Sequence, residues 1–222
     1  MLMKPAIDPF GDLDLTGLIE PDQRFEVRDP RGKLVAVLIR TAAKEFWWKR
    51  GDGRPGLGEM DLNDVPLYRC ERLRSVPLEV PLVVTEGGKD CDAVWRAGMP
   101  AVGTMTGAGG TPSAATLEVL RDRIVILWPD NDEPGRNHME RIAVHLVGVA
   151  REVRWLEIPG APPKAGAADV RTEEVPALVR IYARVRVGIS SNGREEVRED
   201  SLSRHVELTL PTHVRKEDRW QD

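Results

Sequence analysis

Cysteine is nearly absent. The 222 residues contain two, Cys70 and Cys91, and neither belongs to a CxxC pair. That excludes a disulfide scaffold and a cysteine-built zinc site, and it suits a reducing cytoplasm, the expected location. No apolar run approaches the roughly 18 residues of a membrane span, so no membrane association is expected. The N-terminal stretch carries more acid than base, unlike a secretory leader. No GxSxG stretch marks a nucleophilic serine, and neither cysteine has a motif around it. No GxxxxGKS/T loop is present, hence no P-loop motor. A basic balance is missing as well. The formal net charge is −4, which by itself argues against a generic basic coat for nucleic acid.

Resolved by segment, that charge changes meaning. Residues 1–23 carry one base and five acids and have no clear period, so they read as a lead-in arm. Residues 24–54 hold nine bases against four acids. Residues 55–170 hold twelve bases and seventeen acids, and residues 171–222 ten of each. A basic N-terminal part therefore sits beside an acidic half. At 41% hydrophobic and 31% charged residues, the chain has the material for a packed core.

Periodicity divides the chain into four parts. Residues 24–75 form a β-rich basic subdomain. Arg24-Phe25-Glu26-Val27-Arg28 alternates, Asp29-Pro30-Arg31-Gly32 is a turn, and Leu34 to Ile39 is the return strand of a hairpin. A third short strand runs through Phe46-Trp47-Trp48. Residues 76–170 alternate strands with helices, which implies βαβ units and a parallel sheet. Its four strands fall at Leu82–Val84, Ala101–Met105, Ile124–Trp128 and Val153–Ile158. Helices are expected over Asp90–Ala97, from a Thr111-Pro112 start to about Leu120, and after Pro134. Residues 171–222 form a charged extension. Apolar alternation through Ile181, Ala183 and Val185 and a Ser191-Asn192-Gly193 turn leave a small hairpin or a mobile tail as alternatives.

The chemistry lies in acids at strand ends. Glu86 follows the first parallel strand, and Asp130 and Asp132 follow the third. In open α/β sheets, sites form at the carboxyl ends of strands. Clustered carboxylates repel one another unless a cation sits among them, and an all-oxygen set suits Mg2+ or Mn2+. Such an ion orients and polarises phosphate, so phosphoryl transfer is the natural reaction class. The bland alternative is that each acid is a solvated loop residue or, for Asp132, a helix cap.

Two stretches carry a family resemblance. Val83-Val84-Thr85-Glu86-Gly87-Gly88-Lys89-Asp90 resembles the glutamate motif of TOPRIM domains. Leu127-Trp128-Pro129-Asp130-Asn131-Asp132-Glu133-Pro134-Gly135-Arg136 resembles their DxD motif, in wording close to phage and plasmid DNA primases and primase-helicases. The resemblance implies a Rossmann-like α/β fold, a four-stranded parallel sheet flanked by helices behind the β-rich subdomain. It implies Glu86 as metal ligand or general acid/base and Asp130 and Asp132 as metal ligands. Asp90, Asp169 and Lys89 would support them. Gly88 departs from the family pattern, where a larger residue is common, and is expected to loosen the loop. A Cys/His zinc-binding module, which such primases often carry upstream, is missing from this sequence. A separate helicase or zinc-binding module is therefore an expected partner.

Other candidates concern phosphate and nucleic acid. Gly107-Ala108-Gly109-Gly110 follows a strand and precedes a helix, so its amides either cradle phosphate or form a plain turn. Arg136 offers a guanidinium fork one turn past Asp132. Lys44, Trp47, Trp48, Lys49 and Arg50 interleave aromatics with bases. Single-stranded DNA or RNA stacks on such aromatics, while a tryptophan packed into the core is the alternative. Alternation puts Trp47 and Trp48 on opposite faces. His138 and His145 read as solvated helix residues, with His138 near enough to the helix start to approach phosphate.

Three functions stand open. The first is metal-dependent nucleotidyl transfer, a primase making primers from nucleotides on single-stranded DNA in replication. The second is a TOPRIM nuclease. The third is a non-catalytic nucleic-acid-binding module serving a helicase.

Overall fold

The computed structural model describes residues 23–43 and 45–185. The proposed hairpin turn at residues 191–193, most of the lead-in arm and Lys44 lie outside the described residues.

The chain opens with an antiparallel sheet of β1 (Gln23–Arg28), β2 (Leu34–Arg40) and β3 (Phe46–Arg50), in that order. The expected turn forms between β1 and β2. The Asp29 carboxylate accepts the amides of Arg31 and Lys33, each at 2.9 Å, and Gly32 supplies a positive φ of 90°. Alternation sets the faces. Phe25 and Val27 are buried and pair with Leu38 and Ala36, while Arg24 and Glu26 face out.

The main sheet has the order β5 (Ala101–Gly103), β4 (Leu82–Thr85), β6 (Ile124–Trp128), β7 (Glu152–Leu156), β8 (Ala183–Val185). The first four are parallel, as expected, and β8 adds an antiparallel edge. Among the described residues, four α-helices accompany them: α1 (Gly88–Arg96), α2 (Ala114–Leu117), α3 (Glu133–His145) and α4 (Val175–Tyr182). All four residues of β4 are buried, as in a strand covered on both faces. Val83 and Ile126 join a cluster with α1, α4 and the N-terminal sheet. Leu82, Val84, Val125 and Leu127 join the opposite cluster with Leu117 of α2, Met139 and Ile142 of α3, and Leu67 and Leu73 of the connecting segment.

Two local expectations are corrected. The helix expected from Thr111 begins at Ala114, because the Ser113 side chain accepts from the Thr116 amide. It runs one α-turn and continues as a 3-10 turn over Glu118–Leu120. The alternation around Ile181 belongs first to α4, whose inner face buries Val175 and Val179, and only then to β8.

Candidate active site

Strand order places the site. The chain passes from β4 outward to β5, then returns to β6 on the other side of β4. The order in which strands are added therefore reverses between the parallel β4 and β6, and a crevice opens at their carboxyl ends. Glu86 leaves β4 there and Asp130 leaves β6. The Asp130 amide donates to Glu86 Oε1 at 3.0 Å, so the two motifs meet directly.

The surrounding acids have defined posts. Asp132 caps α3, its Oδ1 accepting the Gly135 amide at 2.8 Å. Asp90, in the first turn of α1, accepts the Ala168 amide at 2.8 Å. Asp169 accepts the Gly166 amide at 3.0 Å. A Cβ on Gly166 would lie 2.6 Å from both Asp130 Oδ1 and Asp90 Oδ1, so two carboxylates press on one bare backbone position. Near Gly135, a Cβ would lie 2.3 Å from Glu86 Oε1, so glycine there lets Glu86 seat against the start of α3.

Electrostatics follow from that crowding. Burial pushes the Asp130 carboxyl up to about 7, with Glu86, Asp90, Asp132 and Asp169 adding repulsion. Burial raises Glu86 against the opposing Asp130 amide, and raises Asp90 against the Ala168 amide. Among the described residues, no group of three or more His, Cys, Asp or Glu side chains is placed to hold a metal ion. Mg2+ seldom uses an all-protein cage. It takes one or two carboxylates and completes its shell with water and substrate phosphate. The carboxylates around Asp130 supply oxygen donors, the donor type that this cation takes.

A cleft of about 550 Å3 lies between this acidic edge and the N-terminal sheet. Glu86, Asp90, Asp130 and Asp169 line one side, Phe25, Leu38, Phe46 and Trp48 the other, and Arg40, Lys89 and Lys164 also belong to the lining. The two walls touch where Phe25 covers Gly88; a Cβ on Gly88 would lie 2.3 Å from the Phe25 ring. The missing side chain of Gly88 lets the N-terminal sheet close onto the start of α1.

The remaining predicted residues separate. Trp47 and Lys49 share the face turned from the cleft, with the Lys49 ammonium 5.0 Å from the Trp47 ring centroid. Phe46 and Trp48 take the cleft face, where the Arg40 guanidinium lies 5.7 Å from the Phe46 centroid. Arg50 is half-buried and packs beneath Gly58. Arg136 donates to Asn131 Oδ1 at 3.1 Å and lines a second cavity that adjoins the cleft, the two sharing Asp130, Lys164, Gly166 and Asp169. In the glycine loop, Gly107 lines the cleft, Gly109 is exposed, and the Gly110 carbonyl faces α3.

Sequence reasoning missed several residues here. His138 is not solvated; it is fully buried, with its ring nitrogens on Gly110 and Thr104. Asn131 fastens the proline-rich loop through its side chain to Ala161 and Pro162 and its backbone to Lys164 and Ala165. Proline and glycine punctuation was the available signal for that loop, but nothing local announced its partner.

No protein-family model and no curated protein matches the sequence. Solved structures do match in fold. A DNA primase domain from Pseudomonas aeruginosa aligns over 75% of this chain and 52% of its own, with TM-score 0.57 and 20% identity. The fold is that of DNA primase catalytic cores. A DnaG primase catalytic domain bound to single-stranded DNA aligns over 74% of this chain and 53% of its own, with TM-score 0.52 and 20% identity. The zinc-binding and RNA polymerase domains of Aquifex aeolicus primase align over 73% and 40%, with TM-score 0.54 and 18% identity. The chain spans about half the length of the first two primase structures. Among the described residues, no helix is long and apolar enough to cross a membrane.

Proposed function

We propose that the chain is a DNA primase-type nucleotidyltransferase, making primers from nucleotides on single-stranded DNA with Mg2+ or Mn2+. The observation that carries this reading is the meeting of Glu86 and Asp130 at the sheet's switch point, across a cleft from an aromatic and basic wall. The primase-core fold supports it.

Glu86 and Asp130 are the residues that would hold the cation, with Asp132 joining them from the α3 cap. At that position a divalent ion would supply polarisation of phosphate oxygens and stabilisation of a leaving oxygen. The chain's own groups do the rest. Lys89, Lys164 and Arg40 offer positive charge to phosphates along the cleft. Phe46 and Trp48 give bases a surface to stack on, on the face opposite the acids. Asp90 and Asp169 hold the 166–169 turn against Asp130 by accepting hydrogen bonds from the backbone amides of Ala168 and Gly166. A helicase and a zinc-binding module are the partners this reading calls for.

The test is incubation with a single-stranded template, nucleotides and Mg2+ or Mn2+. Metal-dependent incorporation is expected. Shortening of labelled strands without incorporation would replace this reading with the nuclease. Strand binding with neither chemistry would replace it with the binding module.

A further inference from the structure

We propose that His138 is a positioning residue. It fixes both the glutamate loop and the glycine loop to α3, and so sets where Glu86 stands relative to Asp130. The inference rests on Glu86 and Asp130 being the reactive centre, but its structural content can be measured without that reading.

His138 lies on the inner face of α3, fully buried. Its Nδ1 is 3.0 Å from the Gly110 carbonyl oxygen. That oxygen only accepts, so Nδ1 carries a proton. Burial, with Arg141 acting in the same direction, keeps the ring neutral against the Gly110 bond. Nε2 is then an acceptor, and the Thr104 hydroxyl lies 2.9 Å from it. The same hydroxyl is 3.1 Å from the Glu86 carbonyl oxygen, so its proton is shared between the two. One imidazole thus joins segments 28 and 34 residues away in the chain.

These contacts close a ring. Asp130 leads through the Asp132 cap into α3 and His138, His138 to Thr104, Thr104 to Glu86, and the Glu86 carboxylate back to the Asp130 amide. A buried polar side chain costs stability unless its groups are paired, and both His138 nitrogens are paired. Arg141, one turn further along α3, adds an outer anchor. Its Nε donates to Thr111 Oγ1 at 2.9 Å, and its Nη2 to the carbonyls of Ala108 at 2.5 Å and Gly110 at 3.3 Å. The glycine loop is therefore held by two rungs of α3, whereas the glutamate loop is held by the His138–Thr104 rung through the Glu86 backbone and by the Asp130 amide through the Glu86 side chain.

The test uses the full chain and four variants, one of them His138→Leu. Thr104→Val removes the hydroxyl at nearly constant volume, Thr104→Ser restores it, and Arg141→Ala removes only the outer anchor. Amide hydrogen exchange is read over residues 86–88 and 104–111, with β6 as internal reference. Thr104→Val is expected to exchange about tenfold faster over both loops. Thr104→Ser is expected to match the wild type, and Arg141→Ala to accelerate 107–111 alone. Mn2+ affinity is expected to fall about 10- to 100-fold in Thr104→Val, with kcat reduced and the nucleotide KM unchanged. Unchanged exchange over residues 86–88 in both Thr104→Val and His138→Leu would overturn the positioning role, as would failure of Thr104→Ser to restore it. A wild type that binds no Mn2+ and makes no primer would instead overturn the proposed function, and the exchange result would still decide this inference.

Discussion

The Asp130 amide donates to the Glu86 carboxylate at 3.0 Å, tying together the ends of two adjacent parallel strands. One motif's backbone thereby holds the other motif's side chain. The Asp130 carboxylate stays directed at its acidic neighbours.

That crowding has a measurable sign. Asp130 titrates near 3.8 when unperturbed and about 7 in the folded protein. The folded state therefore holds the proton more tightly. The stability this confers is complete below about pH 4 and is lost as pH rises through about 7. Metal-free Asp130→Asn is expected to melt above wild type at pH 8, with a flatter profile between those limits. Glu86 and Asp90 shift in the same direction and retain their share in the variant. Mn2+ at 100 times its Kd is expected to stabilise wild type by about 2.7 kcal/mol and Asp130→Asn by far less. Thermal melts in chelator and in Mn2+ check both statements. A lower metal-free melt for the variant at pH 8 would contradict them.

Gly166 is the backbone position on which Asp90 and Asp130 converge. Gly166→Ala inserts a methyl 2.6 Å from each carboxylate oxygen. The expected cost is about 1–3 kcal/mol of stability, together with displaced carboxylates and a loss of Mn2+ affinity. Denaturant melts and Mn2+ titration of the variant report the two effects separately.

Much of this site was legible in sequence because it depends on local rules. Glu86, Asp130 and Asp132 follow apolar runs that had to be parallel strands, and strand ends are where acids meet. Asp132 also satisfied the bland expectation, since it caps α3 while remaining beside Asp130. His138 and Asn131 were illegible because their partners lie 28 to 34 residues away. Their types at helical and loop positions look like surface residues until the sheet brings Thr104 and the 161–165 loop to them. α4 was hidden because Ile181, Ala183 and Val185 fit a strand alternation, yet the helix takes the first of them and β8 the other two. The basic-aromatic stretch was legible as a strand, but which face meets the acids depends on how the two sheets pack.

Gly88 and Phe25 set that packing. Gly88→Ala is expected to destabilise by about 1–3 kcal/mol, since the new methyl meets the ring 2.3 Å away. Added to Phe25→Leu, the same change is expected to cost less, giving a coupling energy of about 0.5 kcal/mol or more. A double-mutant cycle by denaturant melts tests it; additive costs would place the contact elsewhere.

The two faces of β3 predict different binding phenotypes. Phe46, on the cleft face, is 60% exposed and free to stack with bases. Phe46→Ala is expected to weaken single-stranded DNA binding by about 1–3 kcal/mol with little change in Tm. Trp47→Ala, on the opposite face, is expected to leave that affinity nearly unchanged. Trp48→Ala is expected to lose about 2 kcal/mol of stability, because Trp48 packs on the shared core. Fluorescence anisotropy at fixed salt, with parallel melts, separates these outcomes.

The most direct measurement is nucleotide incorporation on a single-stranded template in Mn2+, comparing wild type with Asp130→Asn. Wild type is expected to make short primers, and the variant to lose about a hundredfold or more of that rate while remaining folded. Full primer synthesis by Asp130→Asn would contradict the account.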